Sequence, residues 1–196
     1  MKLNISIVSL LFGFTIILSH CAPKTVTRVD TNSDIDLSGR WNDADSRRVA
    51  ETLSESVLSS RWVDEFNRQE GRKPVVIVGM IKNTTHEHIQ PETFIKDIEK
   101  EMIRTGLVRI VQHDEFREKL REERGNQQEF ASPETQKQWG KELGADYMLF
   151  GTISSIVDTE GKRQVIFYQT DLELADLETN EIVWLDGEKI KKYIVG

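Results

Sequence analysis

The stretch Val75-Val76-Ile77-Val78-Gly79-Met80-Ile81 is a continuous apolar run, short and β-branched. Such a run reads as a central strand covered on both faces, so the chain needs partners for it on either side. The flanking sequence supplies them. A long helix is predicted from Asp43 or Asp45, either of which caps free N–H groups, and Val49, Leu53 and Val57 recur at four-residue spacing. Trp62 and Phe66 extend that face, Gly71 stops the helix and Pro74 confirms the break. Residues 83–90 form a polar loop. Pro91 then opens a second helix with Phe94, Ile95, Ile98, Met102 and Ile103 inward and Gly106 as its stop. Residues 107–111 follow as a strand, and strand, helix, strand in about 40 residues fits a crossover unit.

Beyond it, residues 114–128 alternate charges around Phe116 and Leu120, which describes an exposed helix with a thin contact stripe. Pro133 opens a short helix ending at Leu143-Gly144. The rest is β: residues 147–157, 163–177 and 182–194, separated by turn formers at 158–161 and 178–180. In the middle strand Ile166, Tyr168, Leu172 and Leu174 share one face, and Gln169, Asp171 and Glu173 the other. One face is packed and one is wet. The expected fold is therefore α/β (α+β), a single domain with a mixed sheet of about five strands. It ends in an antiparallel meander, with helices packed on the sheet.

The N-terminus obeys a different logic. Residues 3–18 are nearly all apolar or small, Lys2 precedes them, and Leu18-Ser19-His20-Cys21 ends the run. This is the layout of a secretory signal. The Leu-Ser-His-Cys order resembles the lipobox of bacterial lipoproteins, whose cysteine becomes acylated; His20 stands where Gly, Ala or Ser is usual. The competing reading is an uncleaved membrane helix, for which the run is short against a span of about 20 residues. Residues 1–20 are thus expected to be a signal peptide and Cys21 the lipidation site. Residues 21–37 form a lipidated flexible tether, reaching on the order of 55 Å when stretched, and 38–196 the globular domain. Cys21 is the single cysteine, so an intramolecular disulfide is excluded. A net charge of −7 argues against nucleic acid, whose phosphates need clustered Lys and Arg.

Signatures of catalysis are missing: no G-x-S-x-G elbow, no phosphate-cradling Gly-rich loop, no H-E-x-x-H. His86-Glu87-His88 is the one cluster suggestive of metal, but further ligands are not evident in its polar loop. His113 beside Asp114 fits a helix N-terminus with Asp as cap. No cofactor, no metal and no catalytic residue is expected. Trp62, Trp139 and Trp184 are read as packing residues. Trp41 has two readings: an interface anchor in a turn, or a residue that folds back on the sheet and fastens the tether.

Four strings carry a family resemblance: Asp36-Leu37-Ser38-Gly39-Arg40-Trp41-Asn42-Asp43 followed by Asp45 and Ser46; Pro74-Val75-Val76-Ile77-Val78-Gly79; Lys141-Glu142-Leu143-Gly144-Ala145-Asp146-Tyr147; and Asp176-Leu177-Glu178-Thr179-Asn180-Glu181-Ile182-Val183-Trp184. With them the chain resembles the LpoB-type family, outer-membrane lipoproteins that activate penicillin-binding proteins. The resemblance implies a compact domain on a lipidated tail in the outer membrane, facing the periplasm. It implies a monomer that binds a class A penicillin-binding protein, a bifunctional peptidoglycan synthase, and performs no chemistry itself. Ala22 after the cysteine agrees with that sorting. The tether departs from the long proline-rich tail of well-known members. Asp36, Ser38, Arg40, Trp41 and Asn42 are the expected partner-binding residues. The alternative function is a structural component of an envelope or secretion complex, of the curli-secretion-like lipoprotein kind.

Overall fold

The computed structural model describes residues 25–112, 114–130 and 144–196. Cys21, the signal run, His113, Trp139 and the helix expected from Pro133 lie outside them. Two contact units emerge, residues 1–33 and 34–196. In the described part of the first, the Asn32 N–H donates to Asp30 Oδ1 at 2.7 Å, closing a local turn.

In the second unit the apolar run is strand β1 (Val75–Asn83), and Val75 to Val78 are all buried. Because side chains alternate, those four residues need cover on both faces, as expected. The register slips between Val78 and Ile81, and Met80 is 76 % exposed at the bulge. The strand predicted from the run is present along its whole length, but its cover on both faces lapses at Met80. β1 pairs in parallel with β2 (Arg109–Val111) on one side and with β3 (Tyr147–Glu160) on the other. β4 (Arg163–Asp176) and β5 (Ile182–Val195) continue antiparallel, giving one five-stranded sheet in the order β2-β1-β3-β4-β5. The mixed sheet with a C-terminal meander is the one expected.

The long helix is instead two. α1 (Asp43–Ser59) ends at Ser60, which is extended (φ −77, ψ 162), and α2 (Arg61–Glu70) follows at once. Side chains explain the break. Ser59 and Ser60 hydroxyls donate to the Ser56 carbonyl, and the Trp62 indole N–H donates to the Val57 carbonyl at 2.7 Å. The last carbonyls of α1 thus find partners without another helical turn. The bend lays Trp62 and Phe66 edge-on against Tyr147, with ring centroids 4.9 and 5.6 Å away. α2 stops at Gly71, which is left-handed at φ 66.

α3 (Pro91–Thr105) has proline in its first turn and closes on Gly106. Phe94, Ile95, Ile98 and Met102 are buried as predicted, whereas Ile103 is 62 % exposed. Each helical step turns about 100°, so the inward slot taken by Met102 leaves Ile103 on the flank. β2 begins at Arg109 rather than Leu107. α4 (Asp114–Phe130) carries its stripe, Phe116 and Leu120, about half exposed. In β4, Ile166, Tyr168, Leu172 and Leu174 are buried together with Thr170. The core joins α1, α2 and α3 to one face of the sheet, and Trp62 and Trp184 belong to it. No described helix is long and apolar enough to cross a membrane.

Candidate functional site

The segment before α1, residues 36–42, is strapped over Tyr168 of β4 and Lys192 and Ile194 of β5. Its anchor is Lys192. Strict alternation along β5 aims this residue inward, and its side chain is only 10 % exposed. Its ammonium donates to Asp36 Oδ2 at 2.7 Å, to Asp45 Oδ2 at 2.6 Å and to the Arg40 carbonyl at 2.9 Å. Three acceptors satisfy its three N–H bonds, which is what a near-buried lysine requires. Burial works against the charge, but the bonds from Asp36 and Asp45 outweigh it, and the Lys192 pKa stands above its ordinary value. Bonding to that ammonium holds the Asp36 carboxyl below its usual range.

Asp45 also completes the start of α1. The Asn42 side chain accepts from the Asp45 N–H at 3.1 Å, and Asp45 Oδ2 accepts from the Asn42 N–H at 3.0 Å. This reciprocal capping box shares its carboxylate oxygen with Lys192, so helix start and strap are fixed by one group. Gly39 is the tight point. It is left-handed at φ 70, donates to Asp36 Oδ1 at 2.8 Å, and a Cβ there would run into the Ile194 side chain.

Trp41 takes the second of its two arrangements. Its ring lies edge-on to Tyr168 at 5.5 Å and 70°, and its indole N–H donates to Ser46 Oγ at 2.7 Å. Its backbone N–H is shared between Glu87 Oε2 at 3.0 Å and the Tyr168 hydroxyl at 3.1 Å. That hydroxyl donates in turn to Glu87 Oε1 at 2.6 Å. Burial, helped by the bond to Glu87, drives the Tyr168 phenol far above its ordinary pKa, so it remains a neutral donor.

The five candidate contact residues therefore divide. Asp36 is an ionic partner of Lys192, Asn42 caps α1, and Trp41 is half-buried in the core margin. Ser38 and Arg40 face solvent beside Leu37, which is 93 % exposed, and the Arg40 guanidinium has no partner among the described residues. Lys192, Glu87 and Tyr168, which hold the strap, were not among the candidates. The signal for Lys192 was its inward parity among Lys189, Lys191 and Lys192. Glu87 was masked by the two histidines beside it. His86 and His88 are exposed, and no group of three potential ligands among the described residues can hold a metal ion.

The third family string also has a structural task. Asp146 pairs with Arg72 through two bonds of 2.7 Å and accepts the Val75 N–H at 2.8 Å, tying the exit of α2 to the start of β1. Burial opposes the charge of Asp146, but the Arg72 and Val75 bonds keep its pKa below the ordinary value.

No curated protein matches the chain in sequence. Among solved structures, the LpoB C-terminal domain from Salmonella enterica is similar at 15 % identity and a TM-score of 0.43, over 74 % of this chain and 98 % of that one. The LpoB C-terminal domain from Escherichia coli is similar at 15 % and 0.41, over 78 % and 99 %. Lipoprotein GNA1162 from Neisseria meningitidis is similar at 13 % and 0.40, over 62 % and 84 %. The family described as peptidoglycan-synthase activator LpoB matches residues 45–190, which is most of the folded unit. The chain belongs to the LpoB family of peptidoglycan-synthase activators.

Proposed function

We propose that this protein is a lipid-anchored activator that binds a class A penicillin-binding protein at the outer membrane's periplasmic side and raises its rate of glycan polymerisation. The observation that carries the reading is the family match across residues 45–190. Cys21 is the acylated residue, residues 22–35 are the tether that leads to the strap, and the folded unit acts as a monomer. The chain supplies no catalytic group; it acts by binding the synthase's active conformation more tightly than its resting one. A differential of about 1.4 kcal/mol shifts that equilibrium tenfold.

The test is lipid II polymerisation by the purified class A synthase of the same organism, with and without the full chain in detergent. Stimulation together with a saturable complex is expected; neither with any class A synthase of that organism refutes the reading. Arg40→Ala separates contact from scaffold, because its guanidinium is exposed and unpaired among the described residues. It should lower stimulation without moving the melting temperature. Trp41→Ala should lower both, because its indole is tied to Ser46 and packed on Tyr168.

A further inference from the structure

Between α1 and the C-terminal end of α3 lies an open groove of about 500 Å³, on the helical side of the molecule and distinct from the strap. Glu51, Ser54, Glu55 and Leu58 line it from α1, and Glu101 and Leu107 from α3 and the turn after it. We propose that this groove docks a protein segment bearing Lys or Arg side chains.

Three observations converge on that occupant. The charge is one-sided: Glu51 and Glu55 are exposed without ionic partners among the described residues, and the one lining cation, Arg104, is already paired with Glu101. Glu51 and Glu55 stand four residues apart on one helix face, an arrangement that repels unless a cation bridges it. Ser54 supplies the second, independent sign. It is 3 % exposed, lines the groove, and its hydroxyl has no hydrogen-bond partner among the described residues. A buried hydroxyl without a partner is a cost that a bound donor would remove. Third, the groove is apolar as well as acidic. Leu58 is buried and Leu107 is 43 % exposed, a surface suited to the methylene stems of long cationic side chains. The carboxylates are too dispersed for one metal ion, since no three potential ligands among the described residues gather at a point. Dispersed carboxylates match charges spread along a peptide.

The inference stands apart from the activator reading, and its probe contains no synthase. The isotope-labelled full chain in detergent is titrated with the peptide Ac-KLRKLR-NH2, and with spermidine in parallel. Amide shifts should group on Glu51, Ser54, Glu55, Leu58 and Leu107, and added salt should weaken binding. The double variant Glu51→Gln/Glu55→Gln should lower peptide affinity about fivefold or more and flatten the salt dependence. Ser54→Ala should keep or raise the melting temperature, since it deletes an unpaired hydroxyl, while weakening the peptide about threefold. Shifts scattered over the acidic surface, or an affinity unmoved by the double variant, overturn the proposal. So does spermidine binding as tightly with the same shifts, which would make this a polyamine site. Unchanged affinity in Ser54→Ala removes the hydroxyl, and with it the second observation, and overturns the proposal as stated.

Discussion

Lys192→Met is the most informative single change, because one side chain closes three bonds between the strap, α1 and β5. Methionine keeps length and apolar volume and deletes only the charge and its donors. The pair with Asp45 is close to buried, with side-chain exposures of 10 % and 12 %. Removing one partner of a buried pair costs about 3–5 kcal/mol, because the other charge is stranded. Asp45 retains its bond from the Asn42 N–H, which argues for the low end. Asp36 is 44 % exposed and adds little, since exposed pairs are worth about 0–1 kcal/mol. The expected loss is therefore about 3 kcal/mol, or a melting temperature lower by about 6–12 °C for a domain of this size. Amide exchange should also accelerate at residues 39–42 while β1 stays protected. The pH dependence gives a second check. Lys192 has a raised folded pKa, so its contribution is complete below the ordinary lysine value of about 10.4 and is lost as pH rises through the folded one. Asp36 has a lowered folded pKa, so its contribution is present above the ordinary value of about 3.9 and is lost as pH falls through the folded one. The gap between wild type and variant should be flat across neutral pH and narrow at both extremes. A variant melting within about 2 °C of wild type, with unaltered exchange in the strap, would refute the reasoning.

Two other changes test the strap and the anchor. Gly39→Ala should cost about 1–2 kcal/mol in urea unfolding, from the left-handed backbone alone; an unchanged midpoint would mean the turn tolerates a side chain beside Ile194. Cys21→Ala should abolish incorporation of a fatty-acid analogue and leave a heavier, unprocessed precursor in the inner membrane; since Cys21 is the single cysteine, labelling that persists would remove the lipoprotein reading.

Local information was legible along the chain wherever it is written in neighbouring residues. The start of α1 beside Asp43, the glycine stops at 71 and 106, proline opening α3 and the inward parity of β4 all follow from short-range sterics and a repeat of 3.6 or 2, although the cap of α1 is Asn42 and not Asp43 or Asp45. The break at Ser60 was not legible, because the apolar face continues through it. Only the approach of Tyr147, from far along the chain, rewards the bend that turns Trp62 and Phe66 toward it. The same holds for the candidate site. The string at residues 36–43 marked the segment that becomes the strap and offered both fates of Trp41, yet could not choose between them. The choice was made by Tyr168, Glu87 and Lys192, which meet residues 36–45 only after β4 and β5 have paired and aimed them at the packed face. Sequence by itself determined where α3, β1, β3, β4 and β5 lie, since that depends on neighbours in the chain. Tertiary structure decided which buried charge meets which, because burying Lys192 is tolerable only where folding brings carboxylates from 156 and 147 positions away to satisfy it.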